Sequence, residues 1–253
     1  MGLLEGKVAI VTGGGKGIGF GIASAFAEQG AKLCITGRVE QRLLDAAQKL
    51  TAEYGVETMY VVADGYDEDA VKRVIAATVE RFGRLDTVVN NAQASKSGVN
   101  LVDHSKEDFD LAINTGLYAA FFYMKYAFPE LKKTKGSVVN LSSGAGLFGK
   151  PGQSSYAAAK EGIRGMTRVA ATEWGPDGVR ANVICPLAMT EQLAAWKEEY
   201  PETFAKTIQG IPLGRFGDPK TDIGAVAVFL ASDLASYVSG ETITVQGGSG
   251  LRP

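Results

Sequence analysis

The sequence is poor in the residues that hold metals or close disulfides. It has one histidine, His104, and two cysteines, Cys34 and Cys185. The cysteines lie in separate apolar runs, so nothing has metal-ligand spacing and no metal site is expected. Two distant thiols read as buried and reduced, which suits a reducing compartment. Long apolar runs are missing too; none approaches the ~20 residues needed to cross a bilayer. The N-terminus leads straight into a strand-like run with no signal-peptide pattern. Charge of one sign is also absent. The net charge is −2 with no run of like charges, which argues against nucleic acid or an acidic membrane surface as partner. The expectation is a soluble cytoplasmic protein whose partner is a small molecule. His104 precedes the helix-opening Ser105-Lys-Glu-Asp108 and reads as a surface-loop residue.

What is present is an alternation. Apolar, β-rich runs at 7–12, 32–36, 58–63, 87–90, 136–141, 179–184 and 242–245 read as buried strands. Helical patterns fill the gaps at 18–29, 39–54, 68–82, 154–174 and 221–230, with a long helix beginning at the Ser105 capping box. This predicts an α/β fold: a single Rossmann-type, doubly wound, parallel seven-stranded sheet with helices on both faces, one domain over 1–253. The exception is a long insertion at 186–218. In it Met189, Leu193, Trp196, Tyr200, Phe204 and Ile208 recur at steps of three or four, a helical apolar stripe. It is either a face packed on the core or a lid over a flat apolar substrate.

The first strand runs into Thr12-Gly-Gly-Gly-Lys-Gly-Ile-Gly19, which then opens a helix. Glycines there let backbone approach a pyrophosphate, and the helix N-terminus favours its charge. Gly13, Gly17 and Gly19 are spaced more widely than in the usual dinucleotide fingerprint. The second strand ends in Gly37-Arg38, where an NAD-binding protein would place a carboxylate for the ribose 2′-hydroxyl. Arg38, with Lys16, would instead attract a 2′-phosphate, so the expected cofactor is NADP(H); the alternative is two surface cations. Farther on, Tyr156 and Lys160 stand four apart in the 154–174 helix and share a face. Bringing a phenol from pH ~10 to ~7 takes about 4 kcal/mol. A unit charge about 4 Å away at an effective dielectric of ~20 supplies roughly that. Lys160 is thus expected to make Tyr156 a proton donor and acceptor near neutrality.

With these pieces in order, the chain resembles the short-chain dehydrogenase/reductase family over essentially its whole length. The matching residues are the 12–19 turn, Asp64, Asn90-Asn-Ala92, Asn114, Ser143, Tyr156, Lys160 and the closing 240–248 region. The resemblance implies roles. Tyr156 is the general acid/base on the substrate oxygen, and Ser143, rather than its neighbour Ser142, hydrogen-bonds the same oxygen. Lys160 binds the nicotinamide ribose and lowers the Tyr156 pKa. Asn114 holds a water linking Lys160 to solvent. The dinucleotide would lie along Gly13, Lys16, Gly17, Ile18, Gly19, Gly37, Arg38, Asp64, Gly65, Asn90, Ala92, Pro186 and Thr190. Asp64 and Gly65 would flank its adenine, and Asn90 the adenine's ribose. The family is usually a homotetramer built through two long central helices.

Two positions depart from the family pattern. Its Asn-Asn-Ala-Gly is here Asn90-Asn-Ala-Gln93, and its Pro-Gly is Pro186-Leu187. Both put a larger side chain on the nicotinamide side, and the second leaves open whether Thr190 holds the carboxamide. Substrate would then touch Gln93, Ser143, Tyr156, Leu187, Leu193 and Trp196. These departures, with Ser143-Gly-Ala-Gly-Leu-Phe148 and Gly214-Arg-Phe-Gly-Asp-Pro219, resemble the bacterial 12α-hydroxysteroid dehydrogenases, implying action at the 12-hydroxyl or 12-oxo position of bile acids. An alternative is a 3-oxoacyl-thioester reductase, which would want a basic patch that Lys197 and Lys206 are too few to form. A non-catalytic NADP-binding regulator would be expected to lack Ser143, Tyr156 or Lys160.

Overall fold

In a computed structural model, residues 2–250 are described; Met1 and residues 251–253 of the expected 1–253 domain lie outside them. The apolar runs form β1 Val8–Thr12, β2 Lys32–Gly37, β3 Thr58–Val62, β4 Thr87–Asn90, β5 Ser137–Leu141, β6 Arg180–Pro186 and β7 Thr242–Val245. They make one sheet in the order β3-β2-β1-β4-β5-β6-β7, every pair parallel. Successive residues face opposite sides, so each strand feeds two cores. Val11, Leu33, Ile35, Val89 and Val139 enter one cluster with Phe26 and Ile223. Ile10, Cys34, Val88 and Val138 enter the other with Val74, Tyr123 and Leu131. Burial on both faces is why these strands read as unbroken apolar runs.

The crossover helices are α1 Gly17–Glu28, α2 Glu40–Tyr54 and α3 Glu68–Phe82 on one half of the sheet. The other half carries α4 Lys106–Ala112, α5 Ala119–Thr134, α6 Gly144–Phe148 and α7 Ser154–Trp174, then α8 Glu191–Glu199, α9 Pro201–Gln209 and α10 Ala225–Ala231. Ser105 caps α4 as expected, its hydroxyl accepting from the Asp108 amide at 3.1 Å. The long helix it opens is not uniform: α4 and α5 are joined by a wider π-helical stretch, Ile113–Tyr118. The insertion also differs from a single helical stripe. It forms two helices, because Pro201 has no amide to continue α8 and instead begins α9. No helix among the described residues is long and apolar enough to cross a membrane.

The insertion is rooted in the sheet. The Leu187 amide donates to the Val245 carbonyl at 2.9 Å, extending the β6–β7 ladder by one residue. The Met189 amide then donates to the Gly217 carbonyl at 2.8 Å, and the Gly217 amide to the Leu187 carbonyl at 3.0 Å. Beyond that bridge Arg215 forks onto Asp222, with nitrogen–oxygen distances of 2.5 and 3.0 Å.

Candidate active site

The strand order reverses direction between β1 and β4, and in open α/β sheets ligands bind at the carboxyl ends flanking such a switch. Thr12 closes this crevice from below. Its hydroxyl accepts from the Asn91 and Ala92 amides at 2.9 and 3.0 Å, while Asn91 Nδ2 donates to the Thr12 carbonyl at 2.9 Å. Asn91 was not among the expected site residues, yet the glycine turn rests on it. A Cβ on Gly13 would come within 2.8 Å of Asn91 Nδ2, and one on Gly19 within 2.3 Å of the Gly13 carbonyl oxygen. Backbone therefore lies where side chains would fill the cradle. One acceptor and one donor stand beside it. Asn90 donates to Asn140 at 2.8 Å but leaves its buried Oδ1 without a partner. The Gly17 amide, at the positive end of α1, receives the Glu191 carboxylate at 3.3 Å. An amide already aimed at an anion, over a cradle free of side chains, fits a nicotinamide dinucleotide.

Lys16 and Arg38 are both exposed and enter no ion pair among the described residues. Arg42 joins them, although sequence reasoning passed over it. Its Cγ would lie 3.3 Å from a Cβ on Gly15, which puts it over the glycine turn. The available signal was its place one helical turn after Arg38. Asp64 accepts from the Tyr66 amide at 3.2 Å, so its loop is tightly turned. Gly65 is pressed on α5, where a Cβ would meet that of Ala119 at 2.9 Å.

Across the crevice α7 presents Tyr156 and Lys160. Lys160 is buried, its ammonium donating to the Leu141 carbonyl at 2.7 Å and standing 5.5 Å from the Tyr156 ring centre. Burial lowers its pKa to about 8. Tyr156 does not show the expected lowering. Burial raises its pKa, with the facing Ser143 hydroxyl pulling the other way. One desolvated pocket penalises both charged forms, and Lys160 directs its donor to Leu141. Ser143 caps α6, its hydroxyl accepting from the Ala145 amide at 3.1 Å. Ser142 turns inward, donating to the Lys160 carbonyl at 3.0 Å. Asn114 lies half-buried in the π-helical stretch, a form of backbone common at functional sites.

The substrate-side residues divide. Leu187 and Pro186 line the end of β6, and Thr190 caps α8, accepting from the Leu193 amide at 3.3 Å. Thr190 and Glu191 also overhang Gly17: a Cβ there would be 3.9 Å from the Thr190 methyl. Leu193 and Trp196 pack with Phe204, Ile211 and Phe216 in a cluster of the insertion's own, so the stripe forms a small separate core. The Gln93 amide packs against Gly116, where an added Cβ would lie within 3.0 Å of three of its atoms. Its amide nitrogen and oxygen are buried without partners. His104 is not a free surface residue: its Nε2 lies 2.9 Å from the Ser155 hydroxyl.

A family model described as enoyl-(acyl carrier protein) reductase matches residues 13–250. The chain is 55% identical to a 12α-hydroxysteroid dehydrogenase of Clostridium sp., with all of both chains covered. It is 38% identical to the 3-oxoacyl-(acyl-carrier-protein) reductase FabG of Thermotoga maritima, over 97% of this chain and 98% of that protein. Among solved structures, a short-chain type dehydrogenase/reductase from Mycobacterium ulcerans superimposes with a TM-score of 0.92 at 32% identity, covering 98% of this chain and 91% of that one.

Proposed function

We propose, for a chain that belongs to the short-chain dehydrogenase/reductase family of nicotinamide-dependent oxidoreductases, that it moves a hydride between NADP(H) and the 12-position of a bile acid. The observation that carries the substrate is the full-length 55% identity to a protein of that named activity. The insertion supports it, since its apolar cluster stands beside the catalytic end of the sheet. The cofactor, when bound, supplies the hydride acceptor or donor. The chain's residues do the rest. Gly13, Gly17, Ile18, Gly19, Asn90, Ala92, Pro186 and Thr190 would hold it against the cradle. Asp64 and Gly65 would flank its adenine, and Lys16, Arg38 and Arg42 would meet a 2′-phosphate. Three cations on the glycine turn and the end of β2, none in an ion pair among the described residues, with no carboxylate at Gly37, favour NADP(H) over NAD(H).

In oxidation Ser143 would hydrogen-bond the substrate hydroxyl while Tyr156 takes its proton. Lys160 would fix the nicotinamide ribose, and Asn114 would link it to solvent. Leu187, Leu193, Trp196 and Gln93 would shape the substrate pocket. The apolar face between α5 and α7, where Phe121, Phe128, Val169 and Trp174 line a shallow cleft, supports a homotetramer. The two buried thiols, Cys34 and Cys185, suit a cytoplasmic setting.

The test is product identification after incubation with NADP+ and single bile acids. Cholate and deoxycholate should be oxidised at the 12-position, and chenodeoxycholate, which lacks that hydroxyl, should be inert. Equal oxidation of chenodeoxycholate removes the 12-position. Inertness to every steroid, with turnover of a 3-oxoacyl thioester, would favour the second reading, which the identity to FabG keeps in view.

A further inference from the structure

We propose that His104 is a positioning residue for Tyr156, holding the first turn of α7 through Ser155; this rests on Tyr156 being the acid/base group. Tyr156 is the third residue of α7, in the turn whose amides have no partners within the helix. That end is uncapped. Gln153 makes no side-chain cap hydrogen bond, and no acidic residue stands in the first turn. Uncapped ends fray, whereas a proton-transferring group must be held to a fraction of an ångström. The restraint comes from outside the helix. The Gly98 amide donates to the Gly152 carbonyl at 2.8 Å, the Ser97 hydroxyl donates to Gln153 Oε1 at 3.2 Å, and Val99 pairs with Gln153. These bonds stop at the threshold of α7. His104 carries the connection inside, its Nε2 2.9 Å from the hydroxyl of fully buried Ser155.

The imidazole has an unfavourable feature that stability does not explain. Its ring packs edge-on to Phe109, with centres 6.2 Å apart, and its Nδ1 is buried with no hydrogen-bond partner. An apolar side chain of like volume would avoid that unmet nitrogen. What such a side chain could not do is bond Ser155. The same loop is fixed at its other end. The Thr115 hydroxyl accepts from the Ala94 amide at 2.9 Å and lies 3.0 Å from the Ala94 carbonyl, next to Asn114, while Asn91 bonds Thr12. One loop therefore sets the cofactor turn, Asn114 and Tyr156 in register.

Two arms test this. The first needs no substrate: hydrogen-exchange mass spectrometry on the cofactor-free protein. His104→Leu should speed exchange at 154–160 about tenfold and leave the second half of α7 unchanged. His104→Gln, whose amide can occupy the Nε2 position, should restore protection. The second arm is turnover of deoxycholate with NADP+. His104→Leu and Ser155→Ala should each lower kcat about tenfold, with KM and NADP+ affinity within about twofold, and the double variant should be no slower than the slower single. If His104→Leu does not fold, Ser155→Ala carries both arms. Unchanged exchange at 154–160, a Gln variant as slow as the Leu variant, or losses that multiply in the double variant overturn the proposal. A wild-type protein inert to bile acids would count against the steroid reading alone, and the exchange arm would still decide the role of His104.

Discussion

Burial acts on Tyr156 and Lys160 in opposite directions, and both shifts have measurable consequences. Because the phenol is raised, it stays protonated through neutrality, so ketone reduction should be flat in pH from about 6 to 8 while alcohol oxidation climbs. Tyr156→Phe should lower turnover by orders of magnitude and leave dinucleotide binding, measured by fluorescence titration, in place. For Lys160 the sign is worked through linkage. Its native pKa of about 8 lies below the ordinary lysine value of 10.5. Between those values the unfolded chain holds a proton that the native protein lacks, so this group's contribution to stability rises with pH. Urea midpoints should show the wild type gaining on Lys160→Met between pH 8 and 10.5, whatever their offset at pH 7. At the adenine end, Gly37→Asp with Arg38→Leu should shift preference toward NAD(H). Loss of one charge-assisted contact, roughly 1.5–3 kcal/mol, corresponds to about tenfold to a hundredfold in NADP(H) affinity. Arg42→Leu should add to that loss; unchanged affinity ratios in both variants would rule out the cation cluster. The pairing of Tyr156 with Lys160 was legible from a four-residue step on one helix, and Ser143 only from the family resemblance. The contacts of His104, Arg42 and Gln93 were not, since each depends on a neighbour that only the folded chain brings close.

At the scale of elements, the strands and crossover helices were legible from periodicity, and the misses have local causes. The long helix over Asn114 widens at Ile113–Tyr118, where an apolar pattern cannot distinguish a π from an α hydrogen-bond step. The stripe in the insertion was real, but Pro201 divided it, and its apolar residues found one another instead of the main core. The root of that insertion has its own acid sensitivity. Asp222 accepts from Arg215 and from the Asp218 amide at 2.6 Å, and Arg215 holds its carboxyl down to about 2. A depressed carboxyl gives stability that is full above the unfolded value and is lost as pH falls from about 3.8 to 2. Asp222→Asn should cost about 1 kcal/mol at pH 7, held low because the Arg215 side chain is 57% exposed. In urea denaturation the gap to wild type should close as the pH approaches 2. A gap that persists there would mean the carboxylate's charge is not what anchors the root.

At the scale of the molecule, the alternation of strand and helix with right-handed parallel crossovers left few topologies open, and the order seen, β3-β2-β1-β4-β5-β6-β7, came only with the structure. Sequence could say that the glycine-rich turn after the first strand would face a dinucleotide. It could not say which loop would overhang it, because Thr190 and Glu191 reach Gly17 from more than 170 residues away. The bridge between Leu187 and Gly217 has a further consequence. The chain leaves the sheet and returns to it at one pair of residues, so about thirty intervening positions form a detour with a fixed doorway. Doubling such a detour would cost only about 0.6 kcal/mol in closure entropy, and its small core is its own. The detour can thus be exchanged like a cartridge, by drift or by grafting, while the sheet beneath passes on unaltered.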